Sequence, residues 1–181
     1  MKPTRCKICR TPYIKWSISQ KCCSDPVCAL ALVKIEKEKR ARKQHAADKI
    51  RLKSRREWVK DAQTAFNAWV RKRDEGKSCI SCGTTADIQY CAGHYRTVGS
   101  CPELRFDPLN VHLQCNKNCN MEKSGNIIEY RKALIAKIGL DRVEWLEGPH
   151  EPKKYTIPEL QEIQREFKQK LKELPCKLTT I

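Results

Sequence analysis

No run of apolar residues in this 181-residue chain approaches the ~20 needed to span a bilayer, which excludes a helical membrane anchor. The opening Met1-Lys2-Pro3-Thr4-Arg5-Cys6 shows neither the apolar stretch nor the cleavage site of a signal peptide, so a cytoplasmic protein is expected. Acidic residues are scarce, 21 against 37 basic ones, for a net charge of +16. Self-repulsion of that size opposes a compact state and is most readily relieved by a polyanion, for which nucleic acid is the usual candidate. Glycine and proline are absent from residues 29–75, which excludes a loop-rich linker there and leaves a helical segment.

Cysteine, by contrast, is plentiful, with 12 residues. A reducing compartment does not sustain a disulfide framework, and C-x-x-C pairs there read as zinc ligands. The central set is Cys79, Cys82, Cys115 and Cys119. A four-thiolate site leaves no open coordination position, so its zinc would be structural. The amino-terminal set is Cys6, Cys9, Cys23 and Cys28, with Cys22 as an alternative to Cys23 that spacing does not decide. So short a segment has too little core to fold without metal. Two structural zinc ions are therefore expected. Isolated Cys101 and Cys176 read instead as small buried hydrophobes.

Four regions follow: a zinc knuckle at 1–28, a basic helical arm at 29–75, a central module at 76–139 and a helical region at 140–181. Between Lys34 and Lys60 stand 12 basic and 4 acidic residues, a net +8 that is half the excess of the chain. Arg40, Arg42, Lys43, Arg55 and Arg56 belong to this stretch and would lie along phosphates. From Trp58 the pattern changes: Trp58, Ala62, Ala65, Phe66, Trp69 and Val70 recur at helical spacing and read as core. Asp87–Tyr95 and Asn110–Gln114 read as strands, and Asn120–Lys123 as the start of a short helix. An amphipathic helix from Ile127 ends at Gly139, and a last one starts at the capping box Thr156-x-x-Glu159 and runs to about Leu174. The mixed charges of that last helix suit a structural or dimerising role. The fold class is α+β, mostly helical.

Two polar residues sit on the braced segment. His94 lies between the cysteine pairs, and Asn120 directly follows Cys119. A histidine can accept a proton from an attacking water near neutral pH. An amide oxygen can ligate a hard cation such as Mg²⁺ or Mn²⁺, which stabilises charge on a phosphate and its leaving 3′ oxygen. Arg96, Arg105, Lys117 and Lys123 surround the pair in sequence and would contact the backbone.

The run Cys79-x-x-Cys82, Gly93-His94, Asn110-x4-Cys115, Cys119-Asn120-x-x-Lys123 resembles the HNH, or ββα-metal, nuclease motif, and with it the junction-resolving endonucleases of tailed phages. The resemblance implies a treble-clef-like ββα-metal core flanked by long helices. It makes His94 the general base, Asn110 the residue that orients it and Asn120 a ligand of the catalytic metal. Two departures stand out. Gly93 occupies the place where such enzymes usually carry a second metal ligand, leaving Asp107 and Glu122, chosen by chemistry and proximity, with His112 a further candidate near the site. The last cysteine pair is spaced C-x3-C rather than C-x2-C.

Over most of its length the chain is similar to the NinG (Rap) recombination proteins of lambdoid phages. Cys6-Lys7-Ile8-Cys9, Cys79-Ile80-Ser81-Cys82-Gly83, Ala92-Gly93-His94-Tyr95-Arg96-Thr97, Leu104-Arg105-Phe106 and Lys123-Ser124-Gly125-Asn126 carry this likeness. It implies a structure-selective endonuclease acting on Holliday junctions and D-loops inside the bacterial host, alongside phage or host recombination proteins. Symmetric cutting of a four-way junction needs two active sites, so a homodimer is the simplest expectation.

Overall fold

The computed structural model describes residues 3–175, and its main division falls where the sequence carries a capping box. Ser54 Oγ accepts the Glu57 amide, and the Glu57 carboxylate accepts the Ser54 amide, so a new helix begins at Arg55. The stretch 29–75, read above as one helical arm, is therefore two helices. The described chain separates into two compact units between Lys53 and Ser54.

The first unit holds a small hairpin of β1 (Thr4–Arg5) and β2 (Pro12–Tyr13), then α1 (Pro26–Arg51). Helix α1 starts at Asp25, whose carboxylate accepts the amides of Val27 and Cys28, with Pro26 in the first turn. Cys28 is the buried residue of this helix, and most of its length is exposed. Its stability beyond the first turns must come from propensity and local pairs rather than from a core.

The second unit holds α2 (Arg55–Arg73), β3 (Tyr90–His94), β4 (Val111–Cys115), α3 (Ile127–Ile138), α4 (Leu140–Glu147) and α5 (Ile157–Glu173). Strands β3 and β4 are antiparallel, with His94 opposite Val111 and Tyr90 opposite Cys115. One core joins Trp58, Phe66 and Val70 of α2 to Phe106, Val111, Leu160 and Phe167. Phe66 meets Phe106 and Phe167 edge-on, at 5.8 and 4.7 Å between ring centres. Helix α5 thus buries its apolar face on α2 within the same chain. Trp58 and Phe66 are core as expected, while Trp69 lies half-buried at its edge with the Arg73 guanidinium over its ring.

A second core joins Tyr95 and Leu104 to Tyr130 and Leu134 of α3 and to Val143 and Leu146 of α4. Helix α4 went unrecognised in the sequence. Gly139, read as a terminator, is a one-residue hinge with φ of 90°, and the helix restarts directly after it. Between these cores Asp74, only 1% exposed, receives ion pairs from Arg73 (2.6 Å) and Lys77 (2.9 Å), with Lys137 at 3.9 Å. Burial pushes this carboxyl up, but the Arg73 and Lys77 contacts outweigh it and hold it well below the usual carboxylate range. No helix among the described residues is long and apolar enough to cross a membrane.

Candidate metal centres and active-site cleft

Both cysteine quartets assemble as the spacing predicts. The Sγ atoms of Cys6, Cys9, Cys23 and Cys28 lie within 4.8 Å of one another, as do those of Cys79, Cys82, Cys115 and Cys119. Tetrahedral thiolates about 2.3 Å from a shared ion stand roughly 3.8 Å apart. Cys9–Cys23, Cys79–Cys115 and Cys82–Cys115 measure 3.8, 3.7 and 3.8 Å. Either quartet could hold a zinc ion. Of the two alternatives, Cys23 falls within the quartet, while Cys22 is buried in the knuckle's small core outside it.

The two quartets are built alike. In each, the residue after the C-x-x-C turn is left-handed, Arg10 at φ 64° and Gly83 at φ 70°. Its amide donates to the carbonyl of the first cysteine, Cys6 at 3.1 Å and Cys79 at 2.9 Å. Further amides aim at sulfur, from Ile8 to Cys6 (3.4 Å) and from Cys115 to Cys79 (3.3 Å), and such donors favour the thiolate form. The extra residue between Cys115 and Cys119 is absorbed by a π-helical turn, Asn116–Glu122, which is wider than an α-turn. The helix expected to begin at Asn120 is this turn, started earlier.

His94 ends β3, opposite Val111 and four residues along the hairpin from the Tyr90–Cys115 pair. Its Nε2 lies 3.0 Å from the Arg105 carbonyl oxygen. A carbonyl only accepts, so Nε2 carries the hydrogen and Nδ1 is left as the acceptor. Burial lowers the pKa of His94 below its ordinary value; the Arg105 carbonyl works against this and the Arg105 guanidinium adds to it. The imidazole is thus neutral at pH 7. A cleft of about 570 Å³ opens here, lined by His94, Arg105, Asn120, Thr97 and Ser124, with Gln63 and Asn67 from α2. His94, Asn120 and Arg105, singled out separately in the sequence, therefore share one cleft.

Asn110 does not line it. It is fully buried, accepts the Arg96 amide at 2.7 Å and donates to the carbonyls of Arg96 (3.0 Å) and Leu104 (3.1 Å). It fixes both ends of the loop whose next residue, Arg105, holds His94. Its influence on the histidine is therefore indirect. On the other side, Tyr95 donates its hydroxyl to Glu147, which also takes a two-pronged contact from Arg131 at 2.7 and 2.9 Å.

Gly93 is buried, and a Cβ there would stand 2.3 Å from Gln114 Oε1. A side chain here would have to displace Gln114, which sterically disfavours an acidic ligand at this place. Of the three substitutes, Asp107 accepts the Leu109 amide at 2.7 Å, Glu122 is exposed near Lys117, and neither lines the cleft. His112 lies on the opposite face of the hairpin from His94, its Nδ1 3.2 Å from the Tyr130 hydroxyl. Burial drives its pKa down to about 3, which marks a neutral structural histidine.

The basic residues are dispersed. Arg96 is half-buried with its Nε 3.4 Å from Cys101 Sγ, while Lys117 and Lys123 are exposed outside the cleft lining. Arg40, Arg42 and Lys43 are exposed on α1, and Arg55 and Arg56 stand in the first turn of α2. The residues missed by sequence are Gln63 and Asn67. Gln63 donates to Asn67 at 2.8 Å and accepts from Arg105 at 3.2 Å. Their signal was a polar pair, four residues apart, on a helix with an otherwise apolar inner face.

The family model for the bacteriophage lambda NinG protein matches residues 1–176. Protein ninG of Salmonella phage P22 is 48% identical over 126 residues, spanning 70% of this chain and 62% of that protein. Protein ninG of Escherichia phage lambda is likewise 48% identical over 126 residues, 70% of this chain and 61% of its own length. For protein ninG of Escherichia phage 933W the identity is 40% over 192 residues, covering 96% and 95% of the two chains. The chain thus spans about three-fifths of the P22 and lambda relatives and nearly all of the 933W one. No solved structure matches it. With its family model matched along almost the whole sequence, this chain belongs to the NinG family of bacteriophage proteins.

Proposed function

We propose that this protein is a metal-dependent endonuclease of branched DNA, cutting Holliday junctions and D-loops during phage recombination. The observation that carries the reading is the commitment of His94 Nε2 to the Arg105 carbonyl, which leaves Nδ1 as a base in a cleft that also holds Asn120. In this reading Nδ1 takes a proton from the attacking water. The resulting imidazolium keeps its Nε2–H on the Arg105 carbonyl, so the new charge is stabilised without rearrangement. Arg105 lines the same cleft, where its guanidinium would meet the phosphate. Asn120 would offer its amide oxygen to Mg²⁺ or Mn²⁺, a cation that stabilises charge on the phosphate and on the departing 3′ oxygen.

The described lining contributes amide and hydroxyl oxygens and no carboxylate. A divalent ion held this way would draw much of its binding from substrate phosphate oxygens. That same lining favours a second reading, a zinc-containing protein that holds branched DNA without cutting it. One experiment separates them: four-way junction, flap and linear duplex are incubated in parallel with and without Mg²⁺ or Mn²⁺. Metal-dependent cutting of the branched substrates that disappears in His94→Ala, with binding retained, supports the nuclease. Binding without nicking supports the alternative, and a His94→Ala protein that cuts normally removes the assigned base.

A further inference from the structure

A second cleft, of about 550 Å³, lies in the same compact unit as the first. Arg55, Arg56, Lys153 and Lys154 line it together with Arg105, and among the described residues no carboxylate does. Two of these cations shape the site. Arg55 Nε donates to the Tyr155 carbonyl at 2.7 Å, and Lys153 stands 4.8 Å from the Tyr155 ring and 3.3 Å from Glu159. Tyr155 is anchored in turn by its hydroxyl, which donates to the Glu103 carbonyl at 2.8 Å. Arg56 and Lys154 are exposed in this frame. Glu159 offsets Lys153, but the four other cations gathered in this concavity repel each other unless a further anion joins them.

Arg105 connects the two clefts. It lines both, its guanidinium bonds Gln63 at the edge of the first, and its carbonyl holds His94. We propose that the second cleft binds a phosphate of the same nucleic acid strand, flanking the one presented to His94. This rests on the nucleic-acid reading above and extends it. Tyr155 is buried and offers no open face for a base, so the cleft reads backbone and not sequence. Occupation would also fix Arg105, so that strand binding and placement of the base are coupled through one residue.

The test uses the full chain, a labelled four-way junction and the variants Arg56→Ala/Lys154→Ala and His94→Ala. Affinity is measured by fluorescence anisotropy over a salt series without added divalent metal, and cleavage with it. The expected result is a tenfold or greater loss of affinity in the double variant, with a log–log salt slope shallower by about 0.9 for each phosphate that is no longer neutralised. Its melting temperature should match the wild type, since both residues are exposed. His94→Ala should bind as the wild type does. If the wild type binds the junction and the double variant binds equally well with an unchanged slope, the cleft assignment is overturned while the nuclease reading stands. If the double variant loses affinity but the wild type never nicks, the cleft is supported and the nuclease reading fails. Loss of oligoglutamate binding alone in the double variant would assign the cleft to an acidic peptide and overturn the proposal.

Discussion

His94 Nε2 lies 3.0 Å from the carbonyl oxygen of Arg105, and this backbone acceptor, not another side chain, fixes the ring. The acceptor is placed by Asn110, which ties Arg96 and Leu104 together from beneath. Asn110→Ala should therefore lower cleavage by about 100-fold through misplacement of the base. Junction affinity should change less than about twofold, because Asn110 contributes nothing to a DNA-facing surface. The three stranded backbone groups should also cost about 3 kcal/mol in stability. Single-turnover cleavage alongside anisotropy checks the separation, and an equal loss of binding would reject the positioning role.

A side chain at Gly93 must displace Gln114. In Gly93→Ala the new methyl meets Gln114 Oε1 at 2.3 Å and its Cβ at 2.9 Å. Overpacking of this kind costs about 1–3 kcal/mol, which in a chain of this size lowers the melting temperature by roughly 2–12 °C. Scanning calorimetry reads it directly. A neutral result would mean that Gln114 can swing away.

The quartets make a pair of cysteine substitutions diagnostic. Cys23→Ser should bind one zinc ion per chain instead of two, whereas Cys22→Ser should keep both, since Cys22 lies outside the quartet. Metal content by mass spectrometry decides it. Loss of zinc in Cys22→Ser would overturn the ligand assignment.

Gly83→Ala isolates backbone strain. The added methyl meets nothing within 4 Å, so only the left-handed φ of 70° opposes it. The expected cost is about 1–2 kcal/mol, visible as a lower chemical-denaturation midpoint with an unchanged slope. Arg10 already bears such strain at φ 64°, and Arg10→Gly should be neutral to stabilising.

Acid should destabilise the second unit through Asp74 and Glu147. Both carboxyls are held below their ordinary values of 3.8 and 4.5, Glu147 at about 2 chiefly through its Arg131 contacts. The folded state then binds fewer protons than the unfolded one, so this stabilisation is complete above about pH 5 and is lost as pH falls toward 2. Asp74→Asn should flatten that acid limb and cost about 2 kcal/mol at pH 7, because Lys77 stays solvated and softens the removal of its partner. Denaturation at pH 7, 4 and 3 tests both halves.

What the sequence made legible was local. Cysteine spacing predicted both quartets, and Thr156-x-x-Glu159 marked the start of α5. Both strands were found, with β3 three residues shorter at its start and one at its end than expected, and β4 shifted by one residue at each end. The break at Ser54 carried its own signal in Ser54-x-x-Glu57, but the unbroken run of basic helix formers masked it. Helix α4 was hidden because one glycine can either end a helix or hinge two. The role of Asn110 and the inclusion of Gln63 and Asn67 were out of reach, since they depend on a loop and a helix brought together across the fold. Gly93 looked like a missing ligand, and only the packing of Gln114 shows it to be a steric requirement.

The two quartets also differ in when they can close on a ribosome. The first is complete once Cys28 has been made, so that module can capture its ion while the helices of the second unit do not yet exist. The second has Cys79 and Cys82 early but must wait for Cys115 and Cys119. At about 5–20 residues per second, those first two thiols stay without partners for roughly 2–7 s of synthesis. Oxidation or a competing soft metal would do most harm in that interval, which makes the nascent chain, more than the finished protein, the point of greatest sensitivity to the metal and redox state of its host.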